Sequence, residues 1–178
     1  MRYRGIAAGV VVAAALPLAA CSSTADAATI AWIDKVCGVS VKLGDVFAAV
    51  KPMNDEPAKV KAQSVSESDA RVAAVDQAVS DLNALKKGPH ADSEKYVSAL
   101  ADVYTKMKPS LERARNAIRS ADEQDPTAVN AALATVTKET EEVDRIRAGY
   151  KGITTAADLA DAEGKAANCK KLPSAGQK

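Results

Sequence analysis

The stretch "YVSALADVYTKMKPSLERARNAI", residues 96–118, decides the fold. Its apolar side chains Tyr96, Leu100, Val103, Met107, Leu111, Ala114 and Ile118 recur at intervals of three and four, which lines them up as one stripe on a helix of 3.6 residues per turn. A half-buried strand would alternate at every second residue, and this segment does not. Pro109 falls inside the stripe. It has no N–H and its ring crowds the preceding turn, so the sequence predicts either a kink or a fresh helix starting at residue 109.

The same period extends in both directions. Upstream, Val65, Val72, Val75, Val79 and Leu82 follow one another at intervals of 7, 3, 4 and 3, with Ser68 in the position between Val65 and Val72, a heptad pattern. This helix can begin at Glu56-Pro57. It ends at "KKGPH", residues 86–90, where two lysines suit the negative end of the helix and Gly88-Pro89 stops it. Earlier still, Ile33, Val36, Leu43, Phe47 and Val50 give a helix from Ala31 to the break "KPMNDEP", residues 51–57. Trp32, the sole tryptophan, is expected to pack across the bundle end, with Cys37 and Ser40 close to the inward stripe.

Downstream, "SADEQDPTAVN" at residues 120–130 is the next break, with Asp125 as N-cap and Pro126 in the first helical position. A fourth helix runs through Val129, Leu133, Val136, Thr140, Val143 and Ile146 to about Tyr150, with an acidic outer face. "GYKG", residues 149–152, reads as a bend, and a short fifth helix follows from about Thr155. Helices of this kind cannot bury their stripes singly. The expected fold is therefore all-α, an antiparallel up-down four-helix bundle with a short extra C-terminal helix.

The N-terminus carries an address. Arg2 and Arg4 precede Ile6 to Ala20, which hold no charge, the pattern of a signal peptide. The run is too short for a spanning helix, which needs about 20 apolar residues. It closes on Leu18, Ala19, Ala20 and Cys21, which resembles the lipobox of bacterial lipoproteins. The resemblance covers residues 1–21 and implies cleavage after Ala20, diacylglycerol on the Cys21 sulfur and acylation, for instance by palmitate, of the new N-terminus. Two or three acyl chains anchor a domain stably. Residues 1–20 are then signal peptide, 21–30 the lipidated N-terminus and tether, 31–171 the bundle and 172–178 a polar tail. The implied location is the extracytoplasmic face of the cell membrane. Nine tether residues, 22–30, reach about 30 Å at most.

Outside the cytoplasm, the two remaining cysteines, Cys37 and Cys169, are most simply paired as one disulfide tying the bundle together. A redox or metal pair would need a Cys-x-x-Cys spacing or further ligands, and neither is present. Aromatic residues make up only 3% of the chain, so the core of Val, Leu, Ile and Ala is thin and gains from a crosslink.

Composition and motifs exclude several functions. Removing residues 1–20 takes away Arg2 and Arg4 and no acid, so 24 Lys and Arg fall by two against 23 Asp and Glu, and the net charge becomes about −1. That is not the clustered positive field of a nucleic-acid binder. His90, the one histidine, reads as a solvated turn residue: zinc wants three or four nitrogen or sulfur ligands, a di-iron bundle wants Glu-x-x-His twice, and a serine triad would depend on His90 without a Gly-x-Ser-x-Gly turn. No enzyme activity, cofactor or metal is expected.

Lys108, Arg115 and Arg119 form a basic ridge on the third helix, with Glu139, Glu141, Glu142 and Asp144 on the fourth. The ridge serves either charge complementarity between neighbouring helices or docking of an envelope protein or lipid headgroup. The abundant alanine, with "CGVSVKLGDVF" at residues 37–47 and "AANCKKL" at 166–172, is similar to small uncharacterised lipoproteins of actinobacteria, a resemblance that implies no activity. The expected function is a membrane-anchored, non-enzymatic interaction module binding another envelope component. The alternative is a carrier of a lipid or small apolar ligand between the helices, which needs a cavity of about 300 Å³ or more, for which Val72, Val75, Val79 and Ala114 are small enough.

Overall fold

The computed structural model describes residues 25–49, 56–149 and 156–172. The signal peptide, Leu18, Ala19, Ala20 and Cys21 lie outside the described residues, as do Val50, the Tyr150–Gly152 part of the bend and the tail beyond Leu172.

The described chain is helical: α1 (Ala27–Ala48), α2 (Pro57–Ala84), α3 (Ser93–Ser120), α4 (Pro126–Gly149) and α5 (Ala157–Lys165), followed by a 3-10 turn at Cys169–Lys171. Asp26 starts α1, its carboxylate accepting from the Thr29 N–H at 2.6 Å. The helix therefore begins four residues ahead of the expected Ala31, inside the stretch assigned to the tether. Pro57 and Pro126 open α2 and α4, where a missing N–H is harmless, and the Asp125 carboxylate accepts from the Thr127 N–H at 2.8 Å.

Pro109 neither breaks α3 nor starts a new helix, and 28 residues run through it. Both Pro109 and Thr105, whose carbonyl loses its partner, are exposed, so water can satisfy the orphaned oxygen.

Antiparallel neighbours follow from the contacts. Trp32 meets Leu85 and Phe47 meets Arg71, so α1 runs against α2. Lys61 meets Ala121 and Asp76 meets Lys108, so α2 runs against α3. The four long helices and the short fifth form an antiparallel bundle tied by the Cys37–Cys169 disulfide, across 132 positions of sequence.

The bundle is staggered. Side by side, α1 packs on α2 and α5, while α4 lies along α3 and only grazes α2. The end of α1 meets the end of α4 at Phe47, whose ring centroid is 5.8 Å from the Arg147 guanidinium. Towards the α2–α3 turn, α5 and the 3-10 turn cover α1 and the start of α3 in place of α4. The main core contains Trp32, Ile33, Val36, Val75, Leu82, Val97, Met107 and Val143, together with Leu159 and Ala162 of α5. Val60, Ala114, Ile118, Val129 and Ala132 are buried outside that cluster, where α2 and α4 begin and α3 ends.

Candidate functional site

The end of the bundle from which the N-terminal segment leaves is the best-organised polar region. The Ala25 N–H donates to Asp161 Oδ2 at 2.9 Å, so the chain is held against α5 before α1 starts. The Asp161 carboxyl is kept below the usual carboxylate range, first by Lys165 Nζ at 2.7 Å and then by that backbone N–H. Asp26 is lowered as well, first by the Thr29 backbone N–H and then by the Thr29 hydroxyl.

Trp32 packs across this end as expected. Its indole Nε1–H donates to the Leu85 carbonyl at 2.9 Å, and its ring meets Tyr96 edge-on at 6.0 Å between centroids. Gly88 lies so close that a Cβ there would stand 2.4 Å from both Trp32 Cε2 and Ser93 Oγ. The turn after α2 is thereby fixed to the second turn of α1 and the first turn of α3.

His90 is not the solvated residue the sequence suggests. Its Nδ1 accepts from the Asp92 N–H at 3.0 Å, which leaves Nε2 to carry the hydrogen toward Asp158 Oδ2, 2.8 Å away on α5. Tyr96 donates its hydroxyl to Glu163, and Asn168 takes Asp34 with its backbone and its side-chain amide. A solvated-turn reading missed this because Asp158 is 68 positions away.

Beside the disulfide is an open groove of about 370 Å³, lined by Cys37, Tyr96, Ala160, Glu163, Cys169 and Leu172. It lies among α1, α3 and α5. Of the small side chains that could have left space between α2 and α3, Val72, Val75 and Ala114 are buried, and Val79 is half-buried against the core.

The basic ridge is absorbed in large part by the fold, through α2 rather than α4. Lys108 Nζ lies 2.7 Å from Asp76, which raises the lysine pKa, and Arg119 grips both oxygens of Asp69 at 2.7 Å. Arg115 makes no ion pair among the described residues, and its Nε is buried without a partner. The cation that reaches α4 is Arg113. It donates to Glu139 at 2.8 Å, holding that carboxyl below its usual range with Ser110 as a lesser contributor. The sequence hides this preference, since ridge and acids are spaced alike on either neighbour.

Among the described residues, no group of three His, Cys, Asp or Glu side chains is placed to hold a metal ion, and no helix is long and apolar enough to cross a membrane. No family model, no curated protein and no solved structure matches this chain.

Proposed function

We propose that this chain is a lipid-anchored, extracytoplasmic helical bundle of non-enzymatic type, an interaction module that binds another component of the cell envelope. The observation that carries the reading is the Cys37–Cys169 disulfide. Such bonds persist in oxidising compartments, the destination that the signal-type N-terminus and Leu18-Ala19-Ala20-Cys21 also specify. The clamped exit at Ala25 suits a domain held by its N-terminal end. The outer face of α4, where Glu141 and Asp144 are exposed, is open to a partner.

The test is the intact mass of the mature protein extracted from bacterial membranes. The expected product begins at Cys21 and carries diacylglycerol and an N-terminal acyl chain. A free Cys21 thiol, or a chain beginning elsewhere, overturns the reading.

The groove favours a second reading, a carrier, because its volume of about 370 Å³ passes the roughly 300 Å³ that a small ligand needs. Native mass spectrometry of residues 22–178 from a bacterial envelope, before and after organic extraction, separates the two. A stoichiometric cargo lost on extraction makes the chain a carrier, and bare protein leaves the module.

A further inference from the structure

The segment from Ala156 to Leu172 carries six charged side chains, and the fold engages four of them with partners that hold them in place. Asp158 takes His90, Asp161 pairs with Lys165, and the Lys171 ammonium donates to the Asn168 side chain. Two remain. Glu163 accepts the Tyr96 hydroxyl, a neutral donor, and meets no cation among the described residues, while Lys170 makes neither an ion pair nor a hydrogen bond among them.

Both of these charges line the groove beside the disulfide. The rest of its wall is largely apolar, made by the Cys37–Cys169 bridge, Ala160, Leu172 and Tyr96. Gly164 adds no side chain, and a Cβ there would meet nothing within 4 Å, so the groove stays open at that point. Tyr96 is only 4% exposed, and its hydroxyl holds the Glu163 carboxylate in one position, as a polar group that orients a ligand must be held. Lys170 is exposed, and its flexible four-carbon stem lets the ammonium adjust to what the groove contains. Asp34, nearby on α1, accepts from the Asn168 backbone and side-chain amide and does not line the groove.

We infer that the groove binds a small zwitterion with an apolar body, the chemistry of a free apolar amino acid or of a short apolar peptide. The ligand's ammonium pairs with Glu163, its carboxylate with Lys170, and its side chain lies on the disulfide, Ala160 and Leu172. The inference deepens the carrier reading and rests on it. A wholly apolar cargo would take water from both charges and return no partner, and an ion of one sign would serve only one of them.

The test uses the protein purified in detergent from a bacterial envelope. Labelled L-leucine and leucyl-leucine are offered by equilibrium dialysis, beside leucinamide, which lacks the carboxylate, and N-acetylleucine, which lacks the ammonium. Emission of Trp32, edge-on to Tyr96, reports occupancy of the groove. The expected result is saturable binding of leucine or leucyl-leucine, with each blocked form bound at least about tenfold more weakly, the loss that goes with one charged hydrogen bond. Tighter binding of leucine supports an amino-acid site, and tighter binding of leucyl-leucine a peptide site. Glu163→Gln and Lys170→Gln should each weaken the zwitterion about tenfold with the helical circular dichroism unchanged, whereas Lys171→Gln, outside the groove, should leave binding as it is. No saturable binding at about 1 mM, blocked forms that bind as tightly as the zwitterion, or variants that bind like wild type overturn the inference. An apolar cargo released on organic extraction from protein that binds neither leucine nor leucyl-leucine overturns it and leaves the carrier standing; bare protein that binds neither removes both.

Discussion

Replacing Cys37 and Cys169 by serine should weaken the bundle more than any exchange of one surface residue. The bond closes a loop of 132 positions. The loop-closure entropy that it removes from the unfolded chain corresponds to about 5 kcal/mol at that length. For a domain of this size, about 5 kcal/mol is a fall of roughly 10–20 °C in Tm at 2–4 °C per kcal/mol. Residues 22–178, wild type and Cys37→Ser/Cys169→Ser, are compared by circular dichroism on heating and in urea. Near-ultraviolet bands of the Trp32–Tyr96 pair report on the crosslinked end. The double variant should melt with a much lower midpoint and lose the aromatic signal no later than the helical one. A fall of less than about 3 °C, or about 1 kcal/mol on the same scale, would refute the reasoning. It would mean that the crosslink removes little freedom from the unfolded chain, because that ensemble is already compact without it.

Gly88→Ala should destabilise by about 1–3 kcal/mol through overpacking, since its methyl group would meet Trp32 and Ser93 at 2.4 Å; an unchanged urea midpoint and an unchanged tryptophan emission would contradict the close approach. Stability should fall on acidification below about pH 4, because Asp161, Asp26 and Glu139 titrate lower in the folded chain than the ordinary carboxylate near that value. In that window the unfolded state binds more protons, so stability is present at neutral pH and drains away as pH drops through the folded values. Asp161→Asn should flatten the urea-midpoint profile there, and a profile identical to wild type would count against the assignment. Arg119→Gln should lower the unfolding free energy from urea titration by no more than about 1 kcal/mol despite its two-pronged grip on Asp69, because both side chains are well exposed.

Much of the architecture was legible because it is written in local period. The stripe on α3, the proline starts of α2 and α4 and the Asp125 cap depend on neighbours within one or two turns, and the structure has them where expected. The disulfide was legible by elimination, from two cysteines in an oxidising context. The start of α1 carried a signal, Asp26 three residues before Thr29, but the small polar run "SSTADAATI" looked like tether. Alanine's helix propensity and the cap decide otherwise.

What escaped is whatever depends on axial offset. A helical stripe states which side of a helix is inward and says nothing of how far neighbours slide along one another. The stagger between α1 and α4 was therefore hidden, as was the choice of Asp69 and Asp76 over the α4 acids as partners for the ridge. Val65 shows the same limit: it fits the heptad, yet Ser64 and Ser68 are buried while Val65 is only half-covered.

The position of the crosslink also sets a line of force. A pull between the two ends of the chain loads the Ala25–Asp161 contact first and can unravel α1 only as far as Cys37. From there tension crosses a covalent bond to Cys169 and leaves through the C-terminal segment. The span that holds α2, α3 and α4 stands outside the loaded path, so traction on the termini reaches those helices as a rigid towing of the whole and not as a peeling of its parts.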